Sequence, residues 1–177
     1  MTVRVAETPL PGVFLLHAAT ARDDRGSFSR LSCVLALATH GIDFAPRQTS
    51  LSRSFRRFTL RGLHFQAEPS AETKIVHCLT GAVFDVAVDL RPDSLSFRRA
   101  FTAELTADNG RALLIPPGCA HGLLTLTSDT AILYQIDRDY DPDRAGGVRW
   151  NDKAFGIEWP AAPAVISDRD ASWPDFP

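Results

Sequence analysis

AVFDVAVDL, residues 82–90, is the stretch that decides the fold. Phe84, Val86, Val88 and Leu90 fall on one face, and Val83, Asp85, Ala87 and Asp89 on the other. A period of two marks a β-strand, because successive side chains of a pleated ribbon point to opposite faces. Upstream, KIVHCLT (74–80) runs into Gly81, so two strands joined by a turn are expected. Downstream, RPDSLSF is a turn cluster, RRAFTAEL a further strand and ADNG another turn. ALLIPPG, GLLTLTS and TAILYQI are short apolar segments rich in branched residues, each bounded by turn residues. Only RLSCVLALATHG, residues 30–41, reads as a helix, with Gly41 suited to its end. Asp23, Asp24 and Gly26 form a turn ahead of it. Many short strands at regular spacing predict an all-β sandwich or barrel, with a jelly-roll β-barrel the favoured form. One short helix and an irregular C-terminal tail, Trp159 to Pro177, packed over the barrel complete the expectation, with terminal fraying the plainer reading of the tail.

The 177 residues are 45% hydrophobic and 23% charged, which suits a single domain over 1–177 with one sizeable core. Lys and Arg number 19 against 21 Asp and Glu, a net charge of -2 that gives no sequence-independent grip on nucleic acid. No stretch approaches the ~18 apolar residues of a membrane span. The start, MTVRVAETPL, lacks the apolar run of a secretory signal. Cys33, Cys78 and Cys119 are odd in number and dispersed, and read as reduced thiols of a cytoplasmic protein, not as a disulfide frame or zinc site.

In RGLHFQ (61–66), Leu63 and Phe65 share one face of a strand and His64 and Gln66 the other. A His facing a barrel interior can act as a general base; a hydrogen-bonded core or surface His is the plainer reading of that residue alone. Lys74 opens a strand that alternates towards Asp85 on its neighbour, and a Lys pointing into a barrel needs an acidic or oxyanion partner. Tyr134 in TAILYQI would point inward by alternation.

GRALLIPPGCAH (110–121) spaces Gly110, Pro116, Gly118 and His121 as in the second sequence motif of the cupin superfamily, which it resembles. Metal-binding cupins carry a His-x-His pair and a Glu in their first motif. Here that region offers His64-Phe65-Gln66 and Lys74, too few ligands for the three or four a transition metal takes. The resemblance therefore implies a cupin-like barrel without metal.

Over nearly the whole chain, the segments resemble the dTDP-4-dehydrorhamnose 3,5-epimerase family. The matching motifs are DxRGxF at 23–28, Q-x-x-x-S at 48–52, RGLHFQ at 61–66, K[IV]V at 74–76 and VFDVAVDLR at 83–91. LxIPPGxAHG at 113–122, LY at 133–134, YDP at 140–142, VRWND at 148–152, FGIEWP at 155–160 and ISDRD at 166–170 continue the series. The resemblance implies a cupin-like jelly roll, a cytoplasmic homodimer and no metal or redox cofactor. The implied substrate is a nucleotide-diphosphate 4-keto-6-deoxy sugar, inverted at C3, C5 or both through an enolate.

By the same resemblance His64 is the base, oriented by Asp170. Lys74 stabilises the enolate oxygen with His121 alongside, and Tyr134 is the acid. Arg25, Arg61 and Arg169 match positions that contact sugar or diphosphate, and Phe28 and Tyr140 match aromatic positions near the base. Gln48 and Ser50 lie in the substrate-binding Q-x-x-x-S segment. The chain departs from the family pattern at Arg30 and Glu72, usually Glu and Gln, at Ser50, usually Asn, and at Ala145-Gly146, usually an acidic residue and Arg. These departures leave the nucleotide carrier and the exact sugar open. None of them touches the base, acid or enolate stabiliser; a 3,4-ketoisomerase of the same substrate class and a non-catalytic nucleotide-sugar-binding cupin are the competing readings.

Overall fold

The computed structural model describes residues 2–177. In chain order the elements begin with β1 (Arg4–Glu7), β2 (Phe14–His17), β3 (Thr20–Asp23), β4 (Gly26–Ser29) and α1 (Val34–Ala38). They continue with β5 (Gln48–Ser54), β6 (Leu60–Gln66), β7 (Lys74–Thr80), β8 (Ala82–Asp89) and β9 (Ala100–Thr106). β10 (Arg111–Ile115), β11 (Cys119–Thr125), β12 (Thr130–Ile136), β13 (Ala145–Gly147), a 3-10 turn at Lys153–Phe155 and α2 (Asp168–Ala171) complete them. One sheet has the order β1-β2-β10-β7-β12-β5 and the other β13-β6-β11-β8-β9, while β3 and β4 pair only with each other. Every ladder is antiparallel, as a jelly roll requires.

The alternation in 82–90 becomes legible in three packed layers. Val83 and Ala87 join Val76, Leu113, Leu123 and Ile132 in the cluster between the sheets. Val86 and Val88, with Phe84 and Leu90 against them, pack outward on Leu63, Val148 and Phe155. Both faces of β8 are therefore covered, and the face that carries Asp85 and Asp89 is the interior one. Asp89 is fully buried because it anchors the following loop, accepting from Arg91, Ser94 and Ser96. Burial alone would raise its carboxyl pKa, but those bonds hold it well below the usual range.

The helix expected over 30–41 is confined to Val34–Ala38. Its N-cap, Cys33, makes no side-chain capping bond, and Val34 and Leu35 are exposed, so only Leu37 anchors it. Gly41, at φ 72°, turns the chain away and donates to the Ala38 carbonyl. Leu37 packs with Phe44, Leu16 and Ile75 on the outer face of the six-stranded sheet.

The C-terminal tail packs over the barrel, with Trp159 and Phe176 against the outer cluster of the five-stranded sheet, and it carries more local structure than an irregular segment. Val165 bridges Thr59, α2 follows, and the Phe176 ring packs on Phe155 at 5.4 Å between centroids. The start of the chain folds onto its own sheet: Val3, Leu10, Val13 and Leu16 are buried there. The segment around Arg25 and Phe28 stands apart as the β3–β4 hairpin.

His77 lies on the same face of β7 as Ile75, 3% exposed, within 3.3 Å of the Gln135 side-chain oxygen. Burial lowers its pKa to about 4, and the Gln135 bond offsets this only in part. Below about pH 6.5 the unfolded chain takes up a proton there that the folded chain refuses until about pH 4. Its contribution is thus complete above pH 6.5 and is lost as the pH falls. At pH 4.5 the loss relative to pH 7 is about 2 to 3 kcal/mol. Urea unfolding of wild type and His77→Gln at both pH values measures it, and the variant should lose less stability on acidification by that amount.

Candidate active site

Part of the space between the sheets is left open as a cavity of about 330 Å³. Most of the side chains that line it are polar or charged. From the five-stranded sheet come Arg61, His64, Gln66 and His121; from the six-stranded sheet come Gln48, Ser52, Lys74 and Tyr134. Helix α2 adds Arg169 and Asp170, and the loop after β12 adds Arg138 and Tyr140.

His64 Nε2 lies 2.6 Å from Asp170 Oδ1. Asp170 is held in turn by its other oxygen, which accepts from the Gly62 N–H at 3.2 Å. Its own N–H donates to the Ser167 side chain that caps α2. Burial would raise the Asp170 pKa, but the His64 and Gly62 bonds outweigh it and the net shift is downward. The carboxylate therefore stays ionised and fixes the orientation of the ring.

Glycine at 62 is required for this arrangement. Its φ is 121°, and a β-carbon there would stand 2.6 Å from the Gly122 Cα. The close approach of β6 and β11 puts His64 directly opposite His121 in register. His121 Nε2 lies 2.8 Å from Asp85 Oδ1, both side chains being buried. Asp85 does not meet Lys74, as alternation suggested, because β7 and β8 lie in different sheets. Lys74 Nζ pairs instead with Glu72 Oε1 at 2.7 Å, again with both side chains buried.

Tyr134 stands across the cavity from His64, on the other sheet. Its ring meets that of His121 edge-on, 5.9 Å between centroids. Burial first, and then the negative charge of Asp85, raise its pKa above the ordinary phenol value. The hydroxyl is a proton donor throughout the neutral range.

Of the residues expected at the site, the structure brings together His64, Asp170, Lys74, His121, Tyr134, Gln48, Arg61, Tyr140 and Arg169. Ser50 pairs with Tyr134 along the ladder but is exposed and outside the cavity lining; Ser52 lines it instead. Arg25 and Phe28 lie on the separate hairpin, where Arg25 pairs with Asp23 at 2.6 Å and Phe28 is 63% exposed. Sequence reasoning did not foresee Arg138, for which no spacing gave a signal, or the pairing role of Glu72. Gln66, foreseen only as facing with His64, clamps the Tyr140 loop by accepting from the Asp141 N–H at 2.7 Å. Among the described residues no three His, Cys, Asp or Glu side chains gather as a metal ion would need.

The arrangement can remove a proton from one side of a bound molecule, return one from the other, and hold an anionic oxygen between them. The arginines around the opening suit phosphate, through their planar donor fork.

Comparison with known proteins agrees with this chemistry. The family model for dTDP-4-dehydrorhamnose 3,5-epimerase matches residues 7–177. The dTDP-4-dehydrorhamnose 3,5-epimerase of Sinorhizobium fredii is 41% identical over 165 residues, 93% of this chain and 85% of that protein. A crystal structure of the Bacillus anthracis dTDP-4-dehydrorhamnose 3,5-epimerase with TDP and PPi bound is similar at a TM-score of 0.95 and 40% identity, covering 99% of this chain and 100% of that one. The Legionella pneumophila dTDP-6-deoxy-D-glucose-3,5-epimerase in complex with dTDP-4-keto-L-rhamnose is similar at a TM-score of 0.91 and 30% identity, covering 97% and 91%.

Proposed function

The chain belongs to the dTDP-4-dehydrorhamnose 3,5-epimerase family, and we propose that it inverts C3 and C5 of a dTDP-linked 4-keto-6-deoxyhexose with His64 as base and Tyr134 as acid. The C–H bonds at C3 and C5 are acidic because each adjoins the C4 carbonyl. His64 takes the proton, and the bonding pair moves into a carbon–carbon double bond while the carbonyl oxygen becomes an enolate. Lys74 and His121 stabilise that oxygen. Tyr134 then delivers its phenolic proton to the opposite face of the same carbon, the carbonyl re-forms, and the centre is inverted. Solvent returns the proton to Tyr134 and removes the one on His64. The observation that carries this reading is the placement of His64 and Tyr134 on opposing sheets around one cavity. A non-catalytic binding protein would have no need of an acid and a base so placed.

Incubation with the dTDP-linked 4-keto-6-deoxyhexose in deuterated water tests it. Deuterium at both C3 and C5, with the epimerised sugar as product, is expected. Exchange at neither carbon overturns the reading, and a 3,4-keto shift without C5 exchange favours the ketoisomerase.

The active form is a homodimer in which the β3–β4 hairpin presents Arg25 and Phe28 to the partner's cavity. The hairpin's separation from both main sheets, the exposure of Phe28 and the absence of both residues from their own chain's cavity support this. Sedimentation at micromolar concentration should give twice the chain mass; a fully active monomer contradicts it. The three unpaired cysteines support a cytoplasmic setting, where thiols stay reduced.

A further inference from the structure

The Glu72 carboxylate is bonded on one side only. Oε1 meets Lys74 Nζ at 2.7 Å, while Oε2 is buried and has no hydrogen-bond partner. The residue is 8% exposed and belongs to the cavity wall. A buried carboxylate oxygen without a donor is costly, and water or a ligand donor is its remedy. The other orphaned carboxylate oxygen near the site, Asp85 Oδ2, is set back behind His121 and does not line the cavity. Of these two carboxylates, only Glu72 belongs to a residue that lines the cavity.

What fills that position follows from its neighbour. On the reading above, Lys74 meets the oxygen at C4 of the sugar. The ammonium and the free carboxylate oxygen are held side by side by their own ion pair. A 4-keto sugar with a hydroxyl at C3 presents a matching pair on adjacent carbons: an acceptor at C4 for the ammonium and a donor at C3 for the carboxylate. The C5 side carries a methyl-bearing carbon and offers no donor. We propose that Glu72 is a specificity-determining residue, whose Oε2 accepts a hydrogen bond from the C3 hydroxyl of the bound sugar and so selects substrates that carry a donor beside the ketone.

This inference rests on the epimerase reading, and its test keeps the two apart. The readout is kcat/KM for deuterium entry at C5, a position that adjoins the ketone whether or not C3 bears a hydroxyl. Wild type, Glu72→Gln and Glu72→Ala are each given the dTDP-linked 4-keto-6-deoxyhexose and its 3-deoxy counterpart. A charge-assisted hydrogen bond gives wild type a preference of about 10- to 100-fold for the hydroxylated sugar. Any disturbance of Lys74 slows both substrates by the same factor, and the intrinsic acidities of the two sugars cancel when preferences are compared between proteins. In Glu72→Gln the amide oxygen is claimed by the ammonium. Its NH₂ then faces the hydroxyl as a neutral partner, and the preference falls to about fivefold. In Glu72→Ala it falls to less than about twofold. The Gln variant keeps the shape of the site and decides the matter even if Ala disturbs the fold. A preference in Glu72→Gln equal to that of wild type overturns the assignment. Absence of C5 exchange by wild type on the hydroxylated sugar overturns the epimerase reading itself.

Discussion

His64→Asn removes nearly all turnover while the protein stays folded. A positioned general base contributes roughly 10²–10⁴-fold, and both deuterium entry at carbon and formation of epimer fall by that factor, since both begin with proton removal. Asparagine keeps a side-chain N–H that can donate to Asp170 in place of the imidazole. The His64 side chain is 44% exposed, so little core packing is lost. Asp170 retains the Gly62 N–H and its own bond to Ser167, which keeps α2 on β6. The measurement is proton–deuterium exchange by NMR, with circular dichroism as the check on folding. Exchange at the wild-type rate in the variant removes His64 from the mechanism.

Tyr134→Phe separates two steps that His64→Asn stops together. Only the hydroxyl is removed, and the ring keeps its edge-on contact with His121. His64 still abstracts, and Lys74 still holds the enolate. What fails is delivery from the opposite face. Inversion should fall about 10²-fold or more, while exchange of substrate protons with solvent falls less than about tenfold. Recording deuterium content and product stereochemistry in one sample distinguishes the outcomes. Equal, modest losses in both would leave Tyr134 as a wall of the cavity and assign the acid to another group.

Strand periodicity was the most legible part of the molecule. The 82–90 stretch was readable as a strand because alternation is a local property, set by the pleat. Which of its faces pointed inward was not, because both are covered, one by the opposite sheet and one by the tail. The helix at 30–41 was over-read because apolar spacing says nothing about capping, and Cys33 supplies none. Lys74 was visible as a cation needing a partner. Its pairing with Glu72 was not, since sheet order decides that β7 and β8 never face each other along a ladder. Asp170 was reached only through resemblance, for no local pattern links a residue in α2 to one 106 positions earlier in β6. Ser50 and Ser52 share a strand face, and the sequence could not tell which reaches the cavity.

His64 and Tyr134 belong to different sheets, and on the proposed mechanism the enolate's fate is therefore a contest between two donors. If the imidazolium gives its proton back, the cycle is futile; if the phenol wins, the sugar is turned over. Tyr134 packs against the cluster of Val76, Leu113, Leu123 and Ile132 between the sheets, so that packing bears on where the phenol stands in the contest. On this mechanism the packing behind Tyr134 acts on stereochemical fidelity as well as on stability. A chain whose interior has been loosened at Ile132, two residues before Tyr134 on the same strand, can keep its appetite for substrate protons and lose its sense of handedness.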